Sequence, residues 1–382
     1  MNTTKLKNVC VVVSGTTPKS TDERYWNGTH VWITPAELSE DSFIVTDSER
    51  HITDEAIKAT GLKSFPKGTV LLSSRAPIGK VAIAGCEMYC NQGFKNLICS
   101  ESIYNLYLYY FLKSKTAYLN SLGRGATFKE ISKGIVEDIS IPFPAYSEQI
   151  RIAKQLQKIS KLISLKKEQY RYFDDIIRSR FIEMFGHSDR PKVRLGECCI
   201  INPKKSSDIR LVDNDLMVSF VSMSDVSEDG QIVTCNHKQY ESVKSGFTYF
   251  SENDVLFAKI TPCMENGKGG IAKGLLNGIG FGSTEFHVLR PIDQVSNSCW
   301  LYELTSFPQF RQAAEINMTG SAGQRRVPAS FLANYKVSLP PISLQNQFAD
   351  FVHHLDKSKM AVQKSLDELE TLKKSLMQTY FG

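Results

Sequence analysis

The sequence predicts an α+β protein: two similar mixed, β-rich domains separated by two long α-helices packed as an antiparallel coiled coil. Three observations predict it. A short apolar strand closed by proline and followed by a long unbroken helical pattern occurs twice. The stretch before each occurrence is built of short apolar segments punctuated by Gly and Pro turns, as in a compact curved sheet. Both helical patterns carry a heptad-like apolar stripe, and a long helix with a narrow stripe needs a partner.

The first domain is assigned to residues 1–145. Val9–Val13, His30–Ile33, Thr69–Ser73 and Lys80–Ala84 read as strands, separated by turns such as Ser14-Gly15-Thr16-Thr17-Pro18 and Phe65-Pro66-Lys67-Gly68. Ile103 to Leu122 reads as one helix, ended by the loop Gly123-Arg124-Gly125-Ala126-Thr127. The first long helix is assigned to residues 146–186, with Leu156, Ile159, Ile163, Tyr170, Phe173 and Ile177 on its packing seam.

Residues 187–342 form the second domain and replay this order: Asp254–Lys259 answers Thr69–Arg75, and Thr319–Arg326 answers the Gly123 loop. The Ser298 to Ile316 helix, interrupted at Pro308, answers the one before Gly123. Residues 343–382 are the second long helix, with Phe348, Phe351, Leu355, Val362, Leu369, Leu372 and Leu376 on the seam. Aligning Ile139-Ser140-Ile141-Pro142 with Val337-Ser338-Leu339-Pro340, and Gln149 with Gln347, places the strands and the Gln 198 residues apart. The helix ends match at 196, which makes the second helix about two residues shorter. Lys166, Arg180, Ser358 and Ser365 fall on the seam and leave room for polar contacts.

Composition is that of an ordinary globular protein, 42% hydrophobic and 23% charged. No apolar run approaches the ~18 residues that span a bilayer, and no signal peptide is visible. Nine scattered cysteines suit reduced thiols, so a cytoplasmic location is expected. Cys86 and Cys90 have no second pair at metal spacing, and no metal is expected. The net charge of +6 permits nucleic-acid binding without demanding it.

No reaction centre is visible: the chain lacks a phosphate loop, an HExxH and a GxSxG. Gly278-Ile279-Gly280-Phe281-Gly282 is glycine-dense, but it runs into the strand-like Ser283–Val288 rather than into a helix. Two copies of one module without catalytic residues favour a binding protein. Candidate DNA contacts are Lys19, Arg75, Lys80, Gln92, Lys95, Arg124, Thr127 and Lys129 in the first domain. In the second they are Lys259, Lys268, Ser321, Gln324, Arg325 and Arg326. Gly-rich backbone can approach phosphates closely, and Arg or Gln beside it can pair bidentately with guanine or adenine edges.

These residues carry a resemblance. Gly15-Thr16-Thr17-Pro18, Trp32-Ile33-Thr34, Ser73-Ser74-Arg75-Ala76-Pro77-Ile78-Gly79, Asn91-Gln92-Gly93 and Ile141-Pro142-x-Pro144 before Glu148-Gln149 occur in the order seen in specificity subunits of type I restriction–modification systems. The second half matches more loosely, with Lys259-Ile260-Thr261-Pro262 in place of the Arg-Ala-Pro-Ile-Gly turn. The resemblance implies two target-recognition domains reading a bipartite DNA sequence, no catalysis by this chain, and the helical pair as a ruler. It further implies partner modification subunits that bind S-adenosylmethionine, restriction subunits that use ATP and Mg2+, and no cofactor on this chain. A non-enzymatic scaffold, with helices for assembly and globular modules for peptide or glycan, is the competing expectation.

Overall fold

The computed structural model describes residues 2–75, 77–125, 129–186, 192–208, 210–211, 215–228, 230, 232, 236–321 and 323–382. Chain contacts divide it into two units. Unit one holds residues 1–168 and 364–382; unit two holds residues 169–363. The division falls inside both long helices, Tyr146–Phe185 and Ile342–Phe381.

In unit one, a five-stranded sheet runs in the order Cys10–Val13, Asn96–Cys99, Val70–Leu72, Val81–Ala84, Ile44–Val45. The aliphatic central strands Val70–Leu72 and Val81–Ala84 are buried on both faces, which explains their continuous apolar sequence. A three-stranded sheet of His51–Ile52, Trp26–Ile33 and Tyr89–Cys90 stands beside it. The strand Thr3–Lys5 pairs antiparallel with Ser140–Pro142 and ties the chain start to the entry of the first long helix. The single helix expected over Ile103–Leu122 is broken into Asn105–Ser114 and Thr116–Leu122. The Lys115 N–H bonds the Leu112 carbonyl three residues back, which tightens the turn at the break.

Unit two repeats the frame. Its first four-stranded sheet is Cys199–Ile201, Phe286–Pro291, Val255–Ala258, Gly269–Ile271. A second contains Asn236–Gln239, Met217–Val221, Ile279–Gly282 and Thr248–Ser251. The glycine-dense run is therefore the strand Ile279–Gly282: a Cβ on Gly280 would stand 2.0 Å from the Phe250 ring, so glycine serves packing there. Helices Ser298–Ser306 and Pro308–Ile316 meet at Pro308, which occupies the first position of the second helix, where no amide bond is lost.

The repeat register differs from the sequence alignment. Lys192–Arg194 pairs with Lys336–Ser338 as Thr3–Lys5 pairs with Ser140–Pro142, so buried Val337 answers buried Ile141. Gln149 Nε2 donates to the Ser102 and Pro144 carbonyls while its Oε1 accepts from the Tyr104 N–H. Gln345, not Gln347, does the same to Val295, Pro340 and Asn297. Gln149 and Gln345 are both fully buried; Gln347 is exposed. The offset is thus 196 from the strand onward, and the two helices are equally long, 40 residues each. The matching Ser-x-Pro residues misled the alignment because strand burial, not identity, sets the register.

Within each unit the two long helices pack against one another and run antiparallel. In unit one, Tyr380 Oη donates to Gln155 Oε1 at 3.0 Å and Lys167 pairs with Glu370 at 3.1 Å. Phe381 inserts between the rings of Tyr107 and Phe111, in a core that includes Ile152 and Leu156. In unit two, Phe348 meets Phe181 and Phe185 edge-on, and Lys359 pairs with Asp174 at 2.6 Å. The Asp174–Lys359 pair, with Lys359 buried over the Tyr170 ring and Asp174 half-buried, is a polar link that the sequence placed at other positions. Leu156, Ile159, Ile163, Ile177, Phe348 and Val362 are buried. Tyr170, Phe173, Phe351, Leu355, Leu369 and Leu376 are half-buried. Leu372, expected on the seam, is 47% exposed, and Leu366 is buried.

Candidate nucleic-acid interface

Backbone hydrogen bonds define one frame at the loop end of each unit. In unit one, the Ser74 N–H donates to the Gly93 carbonyl and the Ile131 N–H to the Ser74 carbonyl. In unit two, Lys259 N–H donates to Glu285 and Val327 N–H to Lys259 in the same way. The bridges Arg124↔Glu130 and Arg75↔Glu130 answer Thr319↔Arg326 and Ile260↔Arg326. Ser74 therefore corresponds to Lys259, Gly93 to Glu285, and Glu130 to Arg326.

The charges on this common frame are inverted. Glu130 is the hub in unit one: Lys95 Nζ lies 3.0 Å from its Oε1, and Arg75 is 4.0 Å from its Oε2. Arg326 is the hub in unit two, where its Nε and Nη2 grip Glu285 at 2.9 and 2.8 Å. This fork holds the Glu285 carboxyl below the usual carboxylate range. Arg325 lies 3.8 Å from both Glu265 and Glu315. One backbone thus carries an ion-paired acid in one copy and an ion-paired arginine in the other.

The predicted contact residues separate into two groups. Lys19, Gln92, Arg124, Lys129, Ser321 and Gln324 are exposed on the loops. Thr17 Oγ1 donates to Gln92 Oε1 at 2.6 Å, which fixes that amide with its NH2 unpaired among the described residues. The Thr17 loop lies directly on the strand below: a Cβ on Gly15 would stand 1.6 Å from the Cys90 carbonyl oxygen, so only glycine permits the approach. Arg75, Arg325 and Arg326 are half-exposed and ion-paired, and Lys259 is half-exposed.

Lys95, in contrast, is 8% exposed and spent on Ser74 and Glu130, so it is a framework residue rather than a free contact. Lys80 is anchored on the Pro35 and Leu38 carbonyls. Lys268 donates to the Met223 carbonyl at 3.2 Å. Lys80 and Lys268 each satisfy a backbone carbonyl that loop geometry leaves open. Thr127 lies outside the described residues.

Sequence reasoning missed Glu130 and Glu285, because it looked for cations and not for the acids that aim them. It also missed Arg311. This buried guanidinium donates to the carbonyls of Thr305, Met264, Gly267 and Lys268 and stacks 4.5 Å from the Phe257 ring. It welds the loop after Thr261-Pro262 to the helix Pro308–Ile316. Burial lowers its pKa to about 10. Its only sequence signal is a charge on the inward face of an amphipathic helix.

Among the described residues, no group of His, Cys, Asp and Glu could hold a metal ion, and no helix is long and apolar enough to cross a membrane.

Tandem copies of a β-rich frame, each presenting charged loops, joined by paired helices, define a class of two-domain recognition protein. A model of the type I restriction modification DNA specificity domain matches residues 1–171 and again residues 188–371, and the chain belongs to that family. It is 40% identical over 184 residues to the type I restriction enzyme MjaIX specificity subunit of Methanocaldococcus jannaschii, 47% of this chain and 42% of that protein. It is 37% identical over 197 residues to the EcoEI specificity subunit of Escherichia coli, 49% of this chain and 32% of that protein. These matches span less than half the length of those relatives. A solved chain from a type I R-M system, described for its assembly and conformational transition, is similar with a TM-score of 0.60. The identity is 17%, covering 100% of this chain and 97% of that one. The S subunit from M. genitalium gives 0.56 at 14% identity, covering 100% and 96%. At these identities the structures establish the fold. None of these similarities supports the peptide- or glycan-binding scaffold.

Proposed function

We propose that this chain is the non-catalytic, sequence-specific DNA-binding specificity subunit of a type I restriction–modification complex. Residues 1–145 and 187–342 are its two target-recognition domains, each reading one half of a bipartite duplex target. The helices of residues 146–186 and 343–382 set the gap between the halves. Modification subunits, which bring S-adenosylmethionine, dock on the chain, and restriction subunits bring ATP and Mg2+; the chain itself carries no cofactor and acts in the cytoplasm.

The observation that carries this reading is the inverted hub. A duplicated frame that keeps its backbone bonds while exchanging Glu130 for Arg326 is what two readers of different sequences need, because acids accept from cytosine and arginine donates to guanine. Loop cations supply the sequence-independent phosphate attraction.

The test is methylation of duplex DNA by the purified modification subunits with and without this chain. Sequence-selective methylation that requires the chain is expected; unchanged selectivity in its absence refutes the reading. Four residues inserted into both long helices add about 6 Å to each. They should lengthen the tolerated gap and leave both half-sites alone.

A further inference from the structure

We propose that Cys10 and Cys99 form a redox-sensitive pair in unit one, which a peroxide closes into a disulfide that clamps the edge of the five-stranded sheet. The proposal does not depend on the DNA-reading function. Cys10 lies on the edge strand Cys10–Val13 and stands directly opposite Cys99 on its neighbour Asn96–Cys99. The Ser100 N–H donates to the Val9 carbonyl at 2.9 Å. Val9 and Ser100 therefore share the hydrogen-bonded position, and Cys10 and Cys99 the non-hydrogen-bonded one beside it. At such positions opposed Cα atoms are about 4.5 Å apart and the side chains converge, within the roughly 4.4–6.8 Å that a disulfide bridges. Both side chains lie on one face: Cys10 joins the core with Val12 and Leu97, and Cys99 packs against it. Val11, between Cys10 and Val12, faces away and is 62% exposed.

The two thiols are unequal. Cys10 is buried. The Cys99 sulfur beside it, together with that burial, pushes the Cys10 thiol far above the ordinary thiol range, so it keeps its proton. Cys99 is half-buried and open to a small oxidant. Unit two lacks the pair. Its edge strand Cys199–Ile201 repeats the first, with Cys199 in the place of Cys10, but Pro291 stands opposite. The Cys199 thiol bonds the Leu195 carbonyl instead. One chain thus holds the reactive arrangement and its internal control.

The chemistry balances with hydrogen peroxide as oxidant. Cys99 gives up its proton, and its sulfur bonds to one peroxide oxygen as the O–O bond breaks. The other oxygen takes that proton and leaves as water, and Cys99 becomes a sulfenic acid. The Cys10 sulfur then bonds to the Cys99 sulfur as the S–O bond breaks, and the oxygen leaves as water with the Cys10 proton. The two thiols lose two electrons and the peroxide gains two. The new bond ties the strand that runs into the Gly15-Thr16-Thr17-Pro18 loop to its sheet neighbour. By closing the long loop between the two cysteines it also restricts the unfolded chain.

The experiment treats the full chain with hydrogen peroxide, unfolds it in iodoacetamide to cap the remaining thiols, and maps unreduced peptides by mass spectrometry. We expect a Cys10–Cys99 linked peptide, lighter by two hydrogens than its parts and reopened by dithiothreitol, with Cys199 still capped as a free thiol. In Cys10→Ala, Cys99 should stop at the sulfenic acid and be trapped by dimedone; in Cys99→Ala, Cys10 should remain a thiol. Hydrogen exchange of the most protected amides of unit one should slow roughly 30-fold or more in the oxidised chain, with unit two unchanged. Cys99 oxidised without a link to Cys10, or both thiols surviving a peroxide dose that oxidises free glutathione, overturns the pair. A link that leaves exchange in unit one unaltered overturns the clamp.

Discussion

Replacing Gln345 by Ala should destabilise unit two far more than its amide alone suggests. The side chain is fully buried and closes three hydrogen bonds, from the Asn297 N–H at 3.0 Å and to the Val295 and Pro340 carbonyls at 2.9 Å each. These bonds fasten the start of the long helix to the loop leading into Ser298–Ser306. Truncation strands one buried donor and two acceptors and leaves a cavity. A stranded buried group costs about 1–3 kcal/mol, and backbone carbonyls with a second lone pair sit at the low end, so the sum is about 3–5 kcal/mol. Gln149→Ala should cost unit one a similar amount, since its three bonds are 2.9, 3.1 and 3.1 Å. Gln347→Ala, at an exposed position, should stay within about 0.5 kcal/mol. The assay is native-state hydrogen exchange, which resolves the two units where a single melting curve does not. A loss below about 1 kcal/mol for Gln345→Ala, or an equal loss for Gln347→Ala, would refute both the energetics and the 196-residue register.

Two further predictions rest on the packing and one on the proposed function. Lys359→Met alone should cost about 1–2 kcal/mol, less than for a fully buried pair because Asp174 is 34% exposed and screened by water, whereas Asp174→Leu with Lys359→Met should be nearly neutral in denaturant titration. Glu303 is 9% exposed, and burial, partly offset by Arg178 and Lys359 and reinforced by Asp174 and Asp356, raises its pKa to about 7. The folded state therefore binds its proton more tightly than the unfolded chain, so stability falls as pH rises from about 4.5 to 7. Glu303→Gln should remove on the order of 3 kcal/mol of that pH dependence, and an unchanged slope in unfolding measurements at pH 5 and pH 8 would contradict it. Given the proposed function, Arg326→Gln should relax one base position of the second half-site at a cost of about 1–3 kcal/mol; equal loss on every target variant would move Arg326 from base to phosphate.

The chain's architecture was legible in its sequence because period and punctuation are local. Heptad spacing without Pro or Gly fixed both long helices, and the Gly/Pro turns fixed the alternation of short strands before each. The order Gly15-Thr16-Thr17-Pro18 to Gln149 carried the family. What the sequence could not decide is which copies of a residue correspond and which charges are free. Gln347 matches Gln149 by alignment, but only burial on the paired strand and the Pro340 carbonyl select Gln345. Lys95 and Arg124 are both loop cations by sequence, yet one is buried on Glu130 and the other exposed. Those outcomes depend on carbonyls and carboxylates delivered from tens of residues away, whose positions are set by long-range packing rather than by any neighbour in the chain.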